Sequence, residues 1–316
     1  MKTIAALLVS IASLCASAQT YPSKPIVMII PLQAGTAVDN VARALSQKMS
    51  ESLGQPIVIE NQPGAAGQIG TERIARAAPD GYTIGFVNDS ILTMLPNLNP
   101  NVAYDPLKDL APVSRVAGNA FGVAVNPGFA AKNVQELIAM AKRQPVYFAS
   151  GGNGSPQHMV MEMFNAAAGV KLEHVPYKGA AQALTDVVGG QVPVIAQGLG
   201  VVGAQARAGK LRVLAVTGPA RSPLMPEVPT LAEAGLPGFE FATWFAVVAP
   251  AGTPAPIVAR LNAEIVKAAS VPEIRHRLVE QGYDVEASSP ARLTESIRDG
   301  LAKMGKVIKD ANVRVD

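Results

Sequence analysis

From residue 26 onward the chain alternates short, uniformly apolar runs with longer stretches whose apolar residues return every three to four positions. Ile26–Ile30, closed by Pro31, contains no polar residue, the pattern of a strand covered on both faces. Val38, Val41, Ala42, Leu45 and Met49 then fall on one stripe of an amphipathic helix, and Gly54 marks its end. Residues 57–59 predict a second strand, 64–70 a glycine-rich loop opening a helix through Ala78, and 82–87 a third strand. This rhythm predicts a parallel sheet with right-handed crossovers.

The pattern restarts after Tyr104–Asp105–Pro106. Strands are expected at 121–125, 146–150, 172–175, 192–196 and 211–217, with helices at 134–141, 155–168, 179–188 and 201–208 between them. An apolar run at 241–249 is followed only by helices, at 255–268, 272–281 and 290–309. The apolar face formed by Ile257, Val258, Leu261 and Ile265 needs a sheet to cover, and the economical choice is a return to the first one. Two α/β lobes are therefore expected: residues 19–120 with 245–316, and residues 121–244. Crossovers should lie near 115–125 and 240–248.

The N-terminus has a separate logic. Met1–Lys2–Thr3 is positive, residues 4–14 are apolar but too short to span a bilayer, and Ala16–Ser17–Ala18 supplies small residues for cleavage. A leader at 1–18, cut after Ala18, is expected. Cys15 lacks the small residue expected just ahead of a lipidated cysteine, and cleavage would leave a mature chain with none. No later segment reaches the ~18 apolar residues of a membrane span, so the mature chain should be soluble.

At 49% hydrophobic and 16% charged, the 316-residue chain is a folding sequence rather than a disordered one. A net charge of +3, without a basic cluster, gives no footing for nucleic acid. Three His and one Cys, with no CxxC or HExxH, leave no metal site, and no cofactor is expected.

Ligands of open parallel sheets bind beyond the C-terminal strand ends, against helix N-termini. Three loops qualify. The first carries Leu32, Gln33, Ala34, Gly35 and Thr36 ahead of Asp39, which is itself expected to cap or complement its helix. The second runs from Ser150 through Gly152 and Asn153 to Ser155, with His158 on the following helix. The third is Asn88–Asp89–Ser90, of which Asn88 and Ser90 are the candidate ligand groups. Gly64, Gly67 and Gly70 have the wrong spacing for a dinucleotide loop and read as a structural turn. Ser155 and His158 lack the elbow of a hydrolase, and His174 and His276 read as surface or packing residues. No catalytic constellation emerges.

Six phrases in order carry a resemblance. They are Glu60–Asn61–Gln62–Pro63–Gly64–Ala65–Ala66–Gly67; Ala78–Pro79–Asp80–Gly81–Tyr82–Thr83; His174–Val175–Pro176–Tyr177–Lys178–Gly179; Gly189–Gly190–Gln191–Val192; Pro226–Glu227–Val228–Pro229–Thr230 with Glu233–Ala234–Gly235; and Ala249–Pro250–Ala251–Gly252–Thr253–Pro254. From about Tyr21 to its end the sequence resembles the Bug-type extracytoplasmic solute receptors, the TctC-like binding components of tripartite tricarboxylate transporters. The resemblance implies a periplasmic, two-lobed binding protein of type II-like architecture, closing on a small carboxylate and serving membrane permease subunits. It implies no enzyme, and a monomer. Its two ligand-gripping loops fall on 34–39 and 150–155 here, and Tyr177 and Gln197 join the expected site.

Departures from the family pattern touch that site. Leu32 stands where an aromatic is usual, Thr36 replaces a glycine, and Val38 replaces a hydroxyl residue. Pro193 and Gln197 stand where acidic residues are usual. A larger or more apolar acid than a simple dicarboxylate is the expectation. The alternative function is a ligand-sensing receptor that docks on a membrane signalling protein.

Overall fold

The computed structural model describes residues 21–311 and 313, so the expected leader lies outside it. In chain order the first set is β1 (Ile26–Ile30), α1 (Ala37–Leu53), β2 (Ile57–Asn61), α2 (Gln68–Ala75), β3 (Thr83–Asn88), a π-helical turn (Ser90–Met94) and the short α3 (Leu95–Leu98). The second is β4 (Leu110–Val125), α4 (Val134–Ala141), β5 (Tyr147–Ser150), α5 (Pro156–Ala168), β6 (Glu173–Pro176), α6 (Ala180–Val188), β7 (Val194–Gly198), α7 (Leu199–Arg207) and β8 (Arg212–Val216). The chain closes with β9 (Ala242–Pro250), α8 (Ala255–Ala269), α9 (Pro272–Glu280), β10 (Asp284–Val285) and α10 (Pro290–Asp310).

The strands order as β2-β1-β3-β9-β4-β7-β5-β6, with β8 and β10 also paired to β4. β1 is parallel to β2 and β3, and β5 to β6 and β7, so each half keeps a parallel core. At the centre the expected parallel order gives way, because β4 and β9 run antiparallel to each other and to their other neighbours. Between Ala120, opposite Ala242 of β9, and Phe121, opposite Gly198 of β7, β4 changes partner.

β4 begins eleven residues before the expected strand at 121–125. Its first part carries Pro112, Arg115 and Gly118, and its register against β9 shifts between Pro112 and Ser114 and again between Arg115 and Ala117. Each shift breaks the period-two alternation that reveals a strand in sequence. α2 stops at Ala75 rather than Ala78, since Pro79 disfavours helical backbone at the residue before it. Its glycines serve packing: a Cβ on Gly70 would lie 2.7 Å from the Gln62 carbonyl oxygen and 2.9 Å from the Pro31 Cα. That close approach seats α2 directly behind the first loop.

Separate cores fill the two halves. Ile26, Met28 and Phe86 meet Val41 and Leu45 of α1 and Leu261 and Ile265 of α8 in one. Phe121, Phe148, Val160, Phe164 and Val194 form the other. α10 does not return wholly to the first sheet. Leu293 and Ile297 pack with Ile29, Val87 and Trp244, whereas Met304 and Ile308 join the second core. An apolar stripe along a 21-residue helix, ~30 Å long, reaches both.

Candidate functional site

The C-terminal ends of β1, β5 and β6 each feed a loop and then a helix N-terminus, those of α1, α5 and α6, and β7 runs directly into α7. The first amides of each helix have no partner within the helix, and the helix dipole favours negative charge there.

In the first loop, Gln33, Ala34 and Gly35 are exposed, while Leu32 packs at the edge of the core. Thr36 is the N-cap of α1: its hydroxyl accepts from Asp39 N at 3.4 Å and donates to Gln33 O at 2.9 Å. Asp39 is buried, at 2% exposed. Its carboxylate accepts from Gly35 N at 2.9 Å, Arg43 Nε at 2.9 Å and Asn61 Nδ2 at 3.0 Å. Burial pushes its pKa up, but these hydrogen bonds together outweigh burial and hold the carboxyl below its usual value. Asn61 also donates to Leu32 O at 3.1 Å. Asp39 is thus the knot of the loop rather than a ligand group, and Asn61 ties the loop to β2. The sequence reading assigned Asn61 no role, although it lies in the first of the six phrases. Val38, 3% exposed, is directed into the core, so the lost hydroxyl there alters packing rather than the ligand surface.

The second loop is held from beneath. Ser155 is the N-cap of α5, accepting from His158 N at 3.3 Å. The Ser150 side chain is fully buried, accepts from Gly152 N at 3.0 Å and shares a hydrogen bond with His174 Nε2. His174 stacks on His158 with ring centroids 3.8 Å apart, and Phe148 stacks on His174 at 5.0 Å. Gly154 N donates to His158 Nδ1 at 3.1 Å, and His158 Nε2 lies 3.6 Å from Glu162. Burial, then the neighbouring His158, pulls His174 down to about 4, so it is neutral at pH 7. Ser150 and His158 therefore support the loop, whose exposed residue is Asn153. His174, read as surface or packing, belongs to this support; it opens the third of the six phrases, and that was its signal in the sequence.

Of the remaining candidates, all but Ser90 are committed elsewhere. Asn88 caps the π turn, accepting from Ile91 N at 3.3 Å. Ser90 Oγ is buried without a partner among the described residues. Tyr177 donates to Asp186 of α6 at 2.9 Å and packs with Val187. Gln197, buried, accepts from Gln157 Nε2 at 2.6 Å, an uncharged amide pair. The N-termini of α6 at Gly179 and of α7 at Gly198 lack side-chain caps, which leaves their first amides to solvent or ligand. Gly179 closes the third of the six phrases but was given no role, and Gly198 lies in none of them.

The model of the TctC family, described as a tripartite tricarboxylate transporter family receptor, matches residues 41–313. The chain belongs to this family. Protein BugT of Bordetella pertussis is 36% identical over 302 residues, covering 95% of this chain and 93% of BugT. Among solved structures, MatC of Rhodopseudomonas palustris with bound malate has a TM-score of 0.78 at 32% identity, covering 91% of this chain and all (100%) of that one. An R. palustris protein with adipate has a TM-score of 0.82 at 32% identity, covering 93% of this chain and 99% of that one. TctC proteins are two-lobed periplasmic solute receptors, and the fold described above is theirs. Among the described residues, no helix of this TctC protein is long and apolar enough to cross a membrane.

Proposed function

We propose that this chain captures a small carboxylate between its lobes and hands it to the permease subunits of a tripartite tricarboxylate transporter. It works as an exported monomer, cut after Ala18, without turnover, cofactor or nucleic acid. Its lobes comprise residues 19–120 with 245–316, and residues 121–244, with the end of α10 reaching across. The observation that carries this reading is the pair of capped helix N-termini, at Thr36 from one lobe and Ser155 from the other, each preceded by a glycine-containing loop. The malate and adipate in two relatives support the ligand class. Each helix end stabilises an anion by ~0.3–1 kcal/mol when exposed, more when partly buried. The ligand meets Gln33–Thr36, Asn153 and Ser155 first. Asp39, Ser150, Gly152 and His158 hold those groups in place, and Leu32, Asn88, Ser90, Tyr177 and Gln197 border them.

Thermal melting against malate, adipate, citrate, glutamate, benzoate and terephthalate tests the reading. A ligand at 100 times its Kd adds about 2.7 kcal/mol, a shift of several degrees. Thr36→Ala and Ser155→Ala should each remove ~1 kcal/mol of helix capping and weaken the responding acid. A panel in which no acid shifts the melt, while sugars or amines do, would overturn the carboxylate assignment.

A further inference from the structure

Besides the strands and α10, the lobes meet backbone to backbone between α7 and the turn after α9. α7 packs on β4, β7 and β8, and its Leu199 and Val202 lie in a second-lobe core. α9 packs on α1, α8 and β10, and its Ile274 and Leu278 lie in the first-lobe core. A Cβ on Gly200 would sit 2.0 Å from the Gln281 carbonyl oxygen and 2.8 Å from the Gln281 carbonyl carbon. A Cβ on Gly282 would sit 2.7 Å from Gly200 N and 2.9 Å from Gly200 Cα. The atoms met under 3 Å are all backbone, so no rotamer change relieves the clash. Gly200 lies inside a helix, where alanine is intrinsically the better residue. What fills the space of its missing side chain is the opposite lobe.

The position bears on the ligand site. Gly200 lies two residues past Gly198, the cleft end of β7, in the first turn of α7. Gln281 lies beside Asn40, Arg43 and Gln47 of α1, the helix that starts from the first loop. Resting on the receptor reading above, we propose that Gly200 and the Gln281–Gly282 turn are positioning residues for ligand capture. Their contact is the stop that sets how closely the α1 and α7 N-termini approach across the cleft. The effect of a side chain at Gly200 on affinity is indirect, because a wedge holds the two sets of amides too far apart to grip one anion together.

Gly200→Ala is the wedge. Gly203→Ala is its control, in the same helix, since a Cβ there meets only side-chain atoms of Met225 and Arg207, none closer than an ordinary 3.4 Å. Both gain helix propensity, so a purely local role for Gly200 predicts the same behaviour for both. Spin labels at Ala204→Cys and Arg277→Cys, both exposed sites, read the lobe separation. Cys15, the only native cysteine, precedes Ala18. In the wild type, malate or adipate should shorten and narrow the label distances. Gly200→Ala should widen them by several ångströms and weaken the acid by about tenfold or more, while Gly203→Ala matches the wild type. Equal distances and affinities in Gly200→Ala and Gly203→Ala would overturn the proposal. If neither acid binds the wild type, the carboxylate reading fails, and the unliganded label distances of the two variants still decide the wedge. If Gly200→Ala does not fold, wild-type distances unchanged by a binding acid overturn the stop.

Discussion

Asp39→Ala is expected to lower stability at pH 7 by ~3 kcal/mol. The substitution strips an acceptor from Gly35 N, Arg43 Nε and Asn61 Nδ2 at once. Breaking a buried ion pair by removing one partner costs roughly 3–5 kcal/mol, and Arg43, with half its side chain exposed, brings this to the lower end. The melting temperature should fall by roughly 6–10 °C. Carboxylate affinity should fall with it, because Leu32 to Thr36 lose their anchor. The pH dependence has a definite sign. The folded carboxyl titrates below the ordinary aspartate value, so its contribution is present above that value and is lost as pH falls through the folded one. Wild type and Asp39→Ala should therefore converge in acid. Melting at pH 7 and pH 3 checks this; a loss under ~1 kcal/mol at pH 7, or an equal loss at both, would count against the knot.

Asp89→Asn should act in the opposite direction. Asp89 is 4% exposed, and its Oδ1 has no partner among the described residues. Burial raises its pKa from 3.8 to about 7, against the lowering effect of the Trp244 and Ser90 amides and of Arg115. Below pH 3.8 both folded and unfolded states are protonated and no penalty exists. Between 3.8 and 7 the penalty grows, and above 7 it is constant. An uncharged asparagine of the same shape escapes it. Arg115 keeps Glu286, 2.8 Å from its Nε. The variant should gain ~2–4 kcal/mol at pH 8 and nothing near pH 4. Urea unfolding at the two pH values reads both numbers. Equal stability of the two proteins at pH 8 would show that Asp89 carries no such cost.

Regular periodicity made most of the elements legible. The stripe of α1, its Gly54 C-cap and the Ser155 start of α5 stand where the pattern places them. What escaped was long-range pairing. β10 is two residues paired to Gly118 and Ala117, too short for any period. The early half of β4 is hidden by its bulges. At the candidate site, the loops were visible because glycine and hydroxyl residues precede amphipathic helices. The side chains that fix those loops were not. Asn61 reaches Leu32 O across 29 positions and Ser150 reaches His174 across 24, and nothing local in either stretch announces such a bond. Val38 shows the converse: the hydroxyl it replaces in the family pattern suggested a lost ligand contact, but helix phase turns the position inward.

The place of β9 between β3 and β4 governs the order in which the molecule can be assembled. A chain delivered N-terminus first completes the strands of the second lobe by residue 216, while the first sheet still lacks a strand from its middle. Until residue 250 arrives, β3 and the early half of β4 present open edges facing each other across an empty slot. The lobe begun first is therefore finished last, and any partner that guards this protein against aggregation during synthesis has those two edges to cover.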